Sequence, residues 1–391
     1  KTNMNYRFPL ATTTLGQEEQ DAMERVIASG LFTMGENVRT FERNFANYVG
    51  SQHCVMVNSG SAAILLMVAA LFYTKNPKLK LKRGDEVIVP AVSWGTTYFP
   101  LYQYGLRIKF VDIDLETLNY DLAQLELAVT DKTRAIMAVN LLGNPNDFVR
   151  INQIIAGRDI VLIEDNCESM GAKFEGKQAG TFGVMGGYST FFSHHISTME
   201  GGLIVTDNEE LYQILLSLRS HGWTRDLPKN NLICSEKSED PFEESFRFVL
   251  PGYNARPIEI EGAIGVEQVK RLPMLIEERR KNGKLLQTSM AHHPDLIIQK
   301  EIGESSWFGF SLVIRPGSKL TRKALVVKLN ALGFECRPIV AGNFTKNEAV
   351  NYFDSEIHGT LKNADHIDEN GLFVGNHHYP IPEMFIILAG L

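Results

Sequence analysis

The chain has 391 residues, more than one compact core usually holds, so a large unit and a smaller one are expected. Hydrophobic residues make up 44% and charged residues 22%, which excludes a disordered or fibrous protein. The net charge of -7 excludes a general nucleic-acid scaffold, although a local basic site can still hold a small phosphate ligand.

The opening segment, KTNMNYRFPLATTT, lacks the apolar core of a signal peptide, and no apolar run approaches the roughly 18 residues of a membrane span. From about residue 50 to 210, short runs rich in Val and Ile alternate with helix-like stretches, the pattern of a mainly parallel sheet covered by helices. Strands are predicted at 53–57, 86–90, 107–113, 135–140, 160–165, 188–192 and 203–206. Most are continuous apolar runs, as strands buried on both faces must be, and their polar ends are expected to line a ligand crevice. After Arg256 comes a long charged helical stretch, EGAIGVEQVKRLPMLIEERRKNGKLL, in which Pro273 is expected to end or kink the helix. SSWFGFSLVIRP then reads as a strand, and LTRKALVVKLNALGF as a helix stopped by Gly333. The division predicted is a large unit over 1–261 and a smaller α/β unit over 262–391, with the short apolar tail HHYPIPEMFIILAGL unassigned. Cys54, Cys167, Cys234 and Cys336 form no CxxC pair and no metal-ligand spacing, which predicts a reduced, cytoplasmic protein without a metal centre.

Four segments carry chemistry. Asn58-Ser59-Gly60-Ser61-Ala62, between a strand and an apolar helix, offers N–H groups and hydroxyls to a phosphate; taken alone, an N-capping serine with a turn glycine is the commoner explanation. IVLIEDNCES ends a buried strand on Glu164 and Asp165, and a buried carboxylate needs a cation, supplied by a protonated ring nitrogen or by a nearby Arg or Lys. Trp94 in PAVSWGTTYFP could stack on a flat cofactor, although a single aromatic is more often core. In YSTFFSHHISTMEGG a strand runs into a polar turn with two histidines and a Glu-Gly-Gly.

Together and in this order, these motifs resemble the sugar-nucleotide aminotransferase family of fold-type I pyridoxal-phosphate (PLP) enzymes, whose pattern is Ser-Phe-x-x-x-Lys-x-x-x-x-Gly-Glu-Gly-Gly. The likeness runs from FTMGENVRTFERNFANYVG to GYNARPIEIEGAIG and ECRPI. It implies an aspartate-aminotransferase-like α/β fold with a large, mainly parallel sheet domain and a smaller C-terminal α/β domain. Aligned on Glu200-Gly201-Gly202, the family's cofactor lysine falls at His194, and no lysine lies between Lys177 and Lys229. Met199 and Glu168 replace a family glycine and glutamine. This combination is similar to the branch of GDP-4-keto-6-deoxy-D-mannose 3-dehydratases of colitose biosynthesis, which keep the fold but remove a hydroxyl.

The resemblance implies that Gly60, Ser61 and Ser189 contact the cofactor phosphate, Asp165 the pyridinium nitrogen and Trp94 the ring face, with Glu168 near the cofactor edge. Asn254 corresponds to a residue that reaches the phosphate of the neighbouring subunit, which implies a homodimer with shared sites. His221, Arg225 and Arg337 are candidates for substrate or amino-donor carboxylate contacts, and His195 would replace His194 if the turn were shifted by one residue.

An imidazole cannot hold the cofactor covalently as an amine does, yet it moves protons near neutral pH. The cofactor is therefore expected to bind noncovalently as pyridoxamine phosphate (PMP), to react with the C4 ketone of a nucleotide-linked, probably GDP-linked, keto sugar, and to be regenerated by L-glutamate. His194 is expected to take a proton from the cofactor C4′ carbon as the C3 hydroxyl leaves. An ordinary sugar aminotransferase is the first rival, and the missing lysine counts against it. The scattered cysteines count against a 3-dehydrase that uses an iron–sulfur reductase. Retention of Asp165, the phosphate serines and Trp94 counts against a noncatalytic sugar-nucleotide binder.

Overall fold

The computed structural model describes residues 6–391. The large sheet contains β1 (His53–Val57), β2 (Glu86–Pro90), β3 (Arg107–Val111), β4 (Thr133–Val139), β5 (Val161–Asp165), β6 (Gly186–Ser189) and β7 (Gly202–Thr206). The small sheet contains β8 (Leu296–Ile297), β9 (Gly309–Ile314) and β11 (Gly371–Gly375), while β10 (Ser355–Ile357) returns to the large one.

The large sheet runs β1-β7-β6-β5-β4-β2-β3-β10, eight strands in all, and only β7 is antiparallel to its neighbours. β2, β5 and β7 are buried along their whole length, which explains their unbroken apolar sequences. In register, Val139 at the end of β4 lies beside Asp165 at the end of β5, so the polar ends emerge together. Against this sheet lies the helix Gly60–Tyr73, whose sequence GSAAILLMVAALFY is apolar on nearly every side because it is itself covered by the helix Glu209–Arg219.

Two expectations are corrected. β6 stops at Ser189 instead of reaching 192, because Thr190 leaves the ladder for a polar turn: its N–H donates to Gly201 O at 2.9 Å and its carbonyl accepts from Thr198 N–H at 2.9 Å. Pro273 does not end its helix, which runs 32 residues from Glu259 to Met290. The proline itself lies on the exposed side, while Leu272, Leu275 and Ile276 anchor the buried side.

The three-stranded antiparallel sheet β8-β9-β11 packs with the helices Arg322–Ala331 and Pro382–Ala389 around Phe310, Leu312, Phe334 and Phe385. The apolar tail thus forms a helix of its own, docked on Glu259–Met290. Gly333 adopts φ +91°, a conformation that ends the preceding helix at little cost only for glycine. β10 pairs parallel with β3, and nearby Phe344 and Phe353 stack on Tyr98 and Tyr102 at 4.4 and 5.6 Å.

Candidate active site

A cavity of about 560 Å³ opens at the carboxyl ends of β4 and β5, the usual ligand position in a sheet of this kind. Its floor is Asp165. Thr97 Oγ1 donates to Asp165 Oδ2 at 2.6 Å, Ser93 and Thr97 share a hydroxyl contact of 2.7 Å, and the Cys167 N–H donates to Oδ1 at 3.2 Å. Burial pushes the Asp165 pKa up, opposed by the Thr97 and Cys167 hydrogen bonds. No salt bridge reaches it among the described residues, so this carboxylate faces the cavity without a protein cation.

Glu164 points the other way. Its carboxylate accepts from the N–H groups of Gly180, Phe182 and Gly183 at 2.7 to 2.8 Å and from Asn140 Nδ2 at 3.1 Å, which makes it a structural clamp. The two adjacent carboxylates thus divide between scaffold and cavity.

At one side of the floor the helix Gly60–Tyr73 begins, and Ser59 is its N-cap, accepting from Ala62 N–H at 3.0 Å. Gly60, Ser61 and Ser189 line the cavity beside it. A Cβ on Gly60 would come within 2.6 Å of Ser189 Cβ, so only glycine leaves this cradle open. Backbone N–H groups and hydroxyls at a helix start suit a phosphate. Trp94 stands at the rim, 61% exposed, and is therefore not a core residue.

The opposite wall comes from the turn after β6 and from the small unit. His194 lines the cavity with its ring 5.0 Å from that of Phe308, and its Nδ1 has no hydrogen-bond partner. Burial, reinforced by the cations Arg337 and Arg279, lowers its pKa to about 3, so the imidazole is neutral at physiological pH. His195 does not line the cavity; it is buried, with Nε2 3.0 Å from Ser306 O. Met199 holds φ +70°, in the left-handed region that favours glycine. Glu168 and Arg337 also line the cavity. Burial pushes the Glu168 carboxyl up to about 7, with Asp165 adding and Arg337 opposing. Arg337 lies 4.4 Å above the Phe373 ring, and its Nε is without a partner.

His221, Arg225 and Asn254 do not line this cavity. They gather elsewhere: Arg256 Nε donates to Asn254 Oδ1 at 3.0 Å, its other end lies 3.3 Å from His221 Nε2, and Arg225 stacks 3.9 Å from the Trp223 ring. Exposed Phe246 and Phe248 adjoin this cluster.

Sequence reasoning missed Thr97, Cys167 and Phe308. Thr97 follows Trp94 by three positions, one helical turn, which could have suggested it. Phe308 arrives from the small unit, and no local pattern marks it.

These residues fit a pyridoxal-type cofactor. A buried carboxylate lacking a cation matches a protonated ring nitrogen, the Gly60 cradle matches its phosphate, and an imidazole with a free nitrogen faces the space between.

The model of the DegT/DnrJ/EryC1/StrS aminotransferase family matches residues 13–380. The chain is 60% identical over 377 residues to the GDP-4-keto-6-deoxy-D-mannose 3-dehydratase of Yersinia pseudotuberculosis, covering 96% of this chain and 95% of that protein. A solved structure of the Escherichia coli GDP-4-keto-6-deoxy-D-mannose-3-dehydratase with bound hydrated PLP superposes with a TM-score of 0.97 at 58% identity, over 99% of each chain. Another, of GDP-4-keto-6-deoxymannose-3-dehydratase with a trapped PLP-glutamate geminal diamine, gives a TM-score of 0.97 at 58% identity over 98% of this chain and 99% of that one.

Proposed function

The chain belongs to the DegT/DnrJ/EryC1/StrS aminotransferase family, and from that premise we propose that it is a PMP-dependent 3-dehydratase of GDP-4-keto-6-deoxy-D-mannose, with L-glutamate as amino donor. The observation that carries this reading is His194: a neutral imidazole with a free nitrogen faces a floor otherwise complete for the cofactor. The 60% identity to the Yersinia dehydratase supports the substrate.

When bound, the cofactor supplies an amine that condenses with the C4 ketone and a ring that accepts electrons. Gly60, Ser61 and Ser189 would hold its phosphate, Trp94 would stack on its ring, and Asp165 would keep its ring nitrogen protonated. Thr97 orients Asp165 through the 2.6 Å hydrogen bond. His194 takes the proton from the C4′ carbon, which its low pKa leaves it free to accept at neutral pH. Arg337, a cation with a free Nε in the cavity, receives the carboxylate of glutamate.

The protein works as a homodimer. Asn254, His221 and Arg225 lie outside their own chain's cavity, beside exposed Phe246 and Phe248, and this placement supports their donation to a partner's site. No helix among the described residues is long and apolar enough to cross a membrane. The place of work is the cytoplasm, and the chain works as a large unit and a small one, joined near residue 261 by the continuous helix Glu259–Met290 and by β10, which returns to the large sheet.

The test is to incubate the protein with PLP, glutamate and GDP-4-keto-6-deoxy-D-mannose, measuring the sugar by mass and ammonia by a coupled reaction. A 3-deoxy sugar with equimolar ammonia is expected. A 4-amino sugar without ammonia would make the protein an aminotransferase.

A further inference from the structure

Nearly every buried carboxyl in the fold has taken its partners. Glu164 accepts from three backbone N–H groups and Asn140, Asp112 from the N–H groups of Asn363, Ala364 and Ile113, and Glu259 from those of Gly35, Asn37 and Val38. Glu42 meets Arg219 at 3.0 Å and the Met56 N–H at 2.7 Å. Glu168 differs. It is only half-buried, its side chain lines the cavity shared with His194, and no ion pair reaches it among the described residues.

We propose that Glu168 is a second catalytic residue, the proton donor to the departing C3 hydroxyl. This rests on the dehydratase reading above. Hydroxide leaves poorly, so its oxygen must gain a proton as the C3–O bond breaks. The elimination therefore needs two groups at once, an empty proton site for the carbon acid and a filled one beside the oxygen. The cavity holds such a pair: His194 stays empty at neutral pH, and Glu168, at about 7, is close to half filled. The charged and titratable groups that face Glu168 are Asp165, Arg337 and Cys167. Of these, burial pushes the Cys167 thiol well up, and Asp165 is engaged by Thr97 and by the ring nitrogen.

The balance closes. One proton passes from the C4′ carbon to His194, the C3–O bond breaks with its electron pair on oxygen, and the Glu168 proton completes a water molecule. His194 then holds one proton more and Glu168 one fewer, and exchange with solvent restores both.

Glu168→Gln keeps the size of the side chain and removes its releasable proton. Conversion of bound PLP to PMP by glutamate involves no departing oxygen, and its rate, followed by cofactor absorbance, should change less than about threefold, whereas dehydration should fall by roughly a hundredfold or more. Wild-type dehydration should decline as pH rises past about 7, a limb absent from the variant's residual rate and partly restored in Glu168→Asp. In cofactor-free protein, isotope-edited infrared spectra should show a carboxylic-acid band titrating near 7 that Glu168→Gln lacks.

Full dehydration by Glu168→Gln would overturn the proposal and leave His194 to pass its own proton on. Equal losses in both half-reactions would also overturn it, making Glu168 a positioning residue. Wild-type protein that converts PLP with glutamate but removes no hydroxyl would instead overturn the dehydratase reading.

Discussion

At the end of β5, Asp165 accepts hydrogen bonds from Thr97 and Cys167 and Glu164 accepts from four donors, whereas across the cavity His194 Nδ1 and Arg337 Nε have no partner. The hydrogen bonds of the floor are completed by folding alone, although Asp165 still lacks a cation. The wall is left incomplete, and each unmet buried group costs about 1–3 kcal/mol until a ligand meets it. Under the proposed function, the floor would hold the cofactor in one place, while the wall would keep proton-transfer groups in reactive form.

Asp165→Asn is the most severe way to break this contrast, because it leaves the ring cation unpaired at a cost of about 3–5 kcal/mol. Dehydration should fall roughly a thousandfold, and cofactor affinity, read by fluorescence titration, should fall with it.

His194→Asn attacks the wall alone. PMP should still bind, while turnover drops by roughly a hundredfold or more, the loss typical of a missing general base. In His194→Lys, borohydride should trap a pyridoxyl group at position 194, and wild-type protein should yield no pyridoxyl-lysine on peptide mass analysis. Wild-type turnover in His194→Asn would erase the distinction between floor and wall.

Mixing inactive Asn254 and His194 variants should restore part of the activity, since a mixed dimer would contain one intact site. A fully active monomer in sedimentation would place Asn254 outside the machinery.

Thr97→Val loosens the floor without removing its charge. The lost hydrogen bond to a charged group is worth about 1.5–3 kcal/mol, so cofactor affinity should weaken by tenfold or more while the glutamate half-reaction persists.

The smallest effect is on stability. An ordinary carboxyl titrates near 4.5, and the folded protein holds the Glu168 proton up to about 7, so wild-type stability declines as pH rises through that window and the full penalty applies above it. Glu168→Gln removes the penalty. Without cofactor it should be more stable than wild type by roughly 1–2 kcal/mol at pH 8, after allowance for solvent screening, and equal to it near pH 4.5, as urea unfolding can measure.

The same contrast explains what could be read from the sequence. The floor strands are buried on both faces and advertise themselves as Val- and Ile-rich runs, and Asp165 and Gly60 sit where such runs end. His194 was legible through the motif around it. The direction of β7 was not, since an antiparallel strand buried on both faces has the same apolar sequence as a parallel one. Thr97 and Phe308 act through contacts formed only when distant segments meet. Pro273 could be read as a stop or as a kink, and the sequence did not show that the buried residues around it, Leu272, Leu275 and Ile276, carry the helix on past it.

β10 also limits where this protein can be cut. It supplies the outer neighbour of β3, although it lies almost 250 residues further along the chain. A fragment ending at residue 261 would bare a row of unpaired N–H and C=O groups on β3 and strip Phe344 from Tyr98. Such a half would expose a self-adhesive edge, so expressing it alone should give aggregates, and truncation is a poor route to a minimal cofactor-binding scaffold.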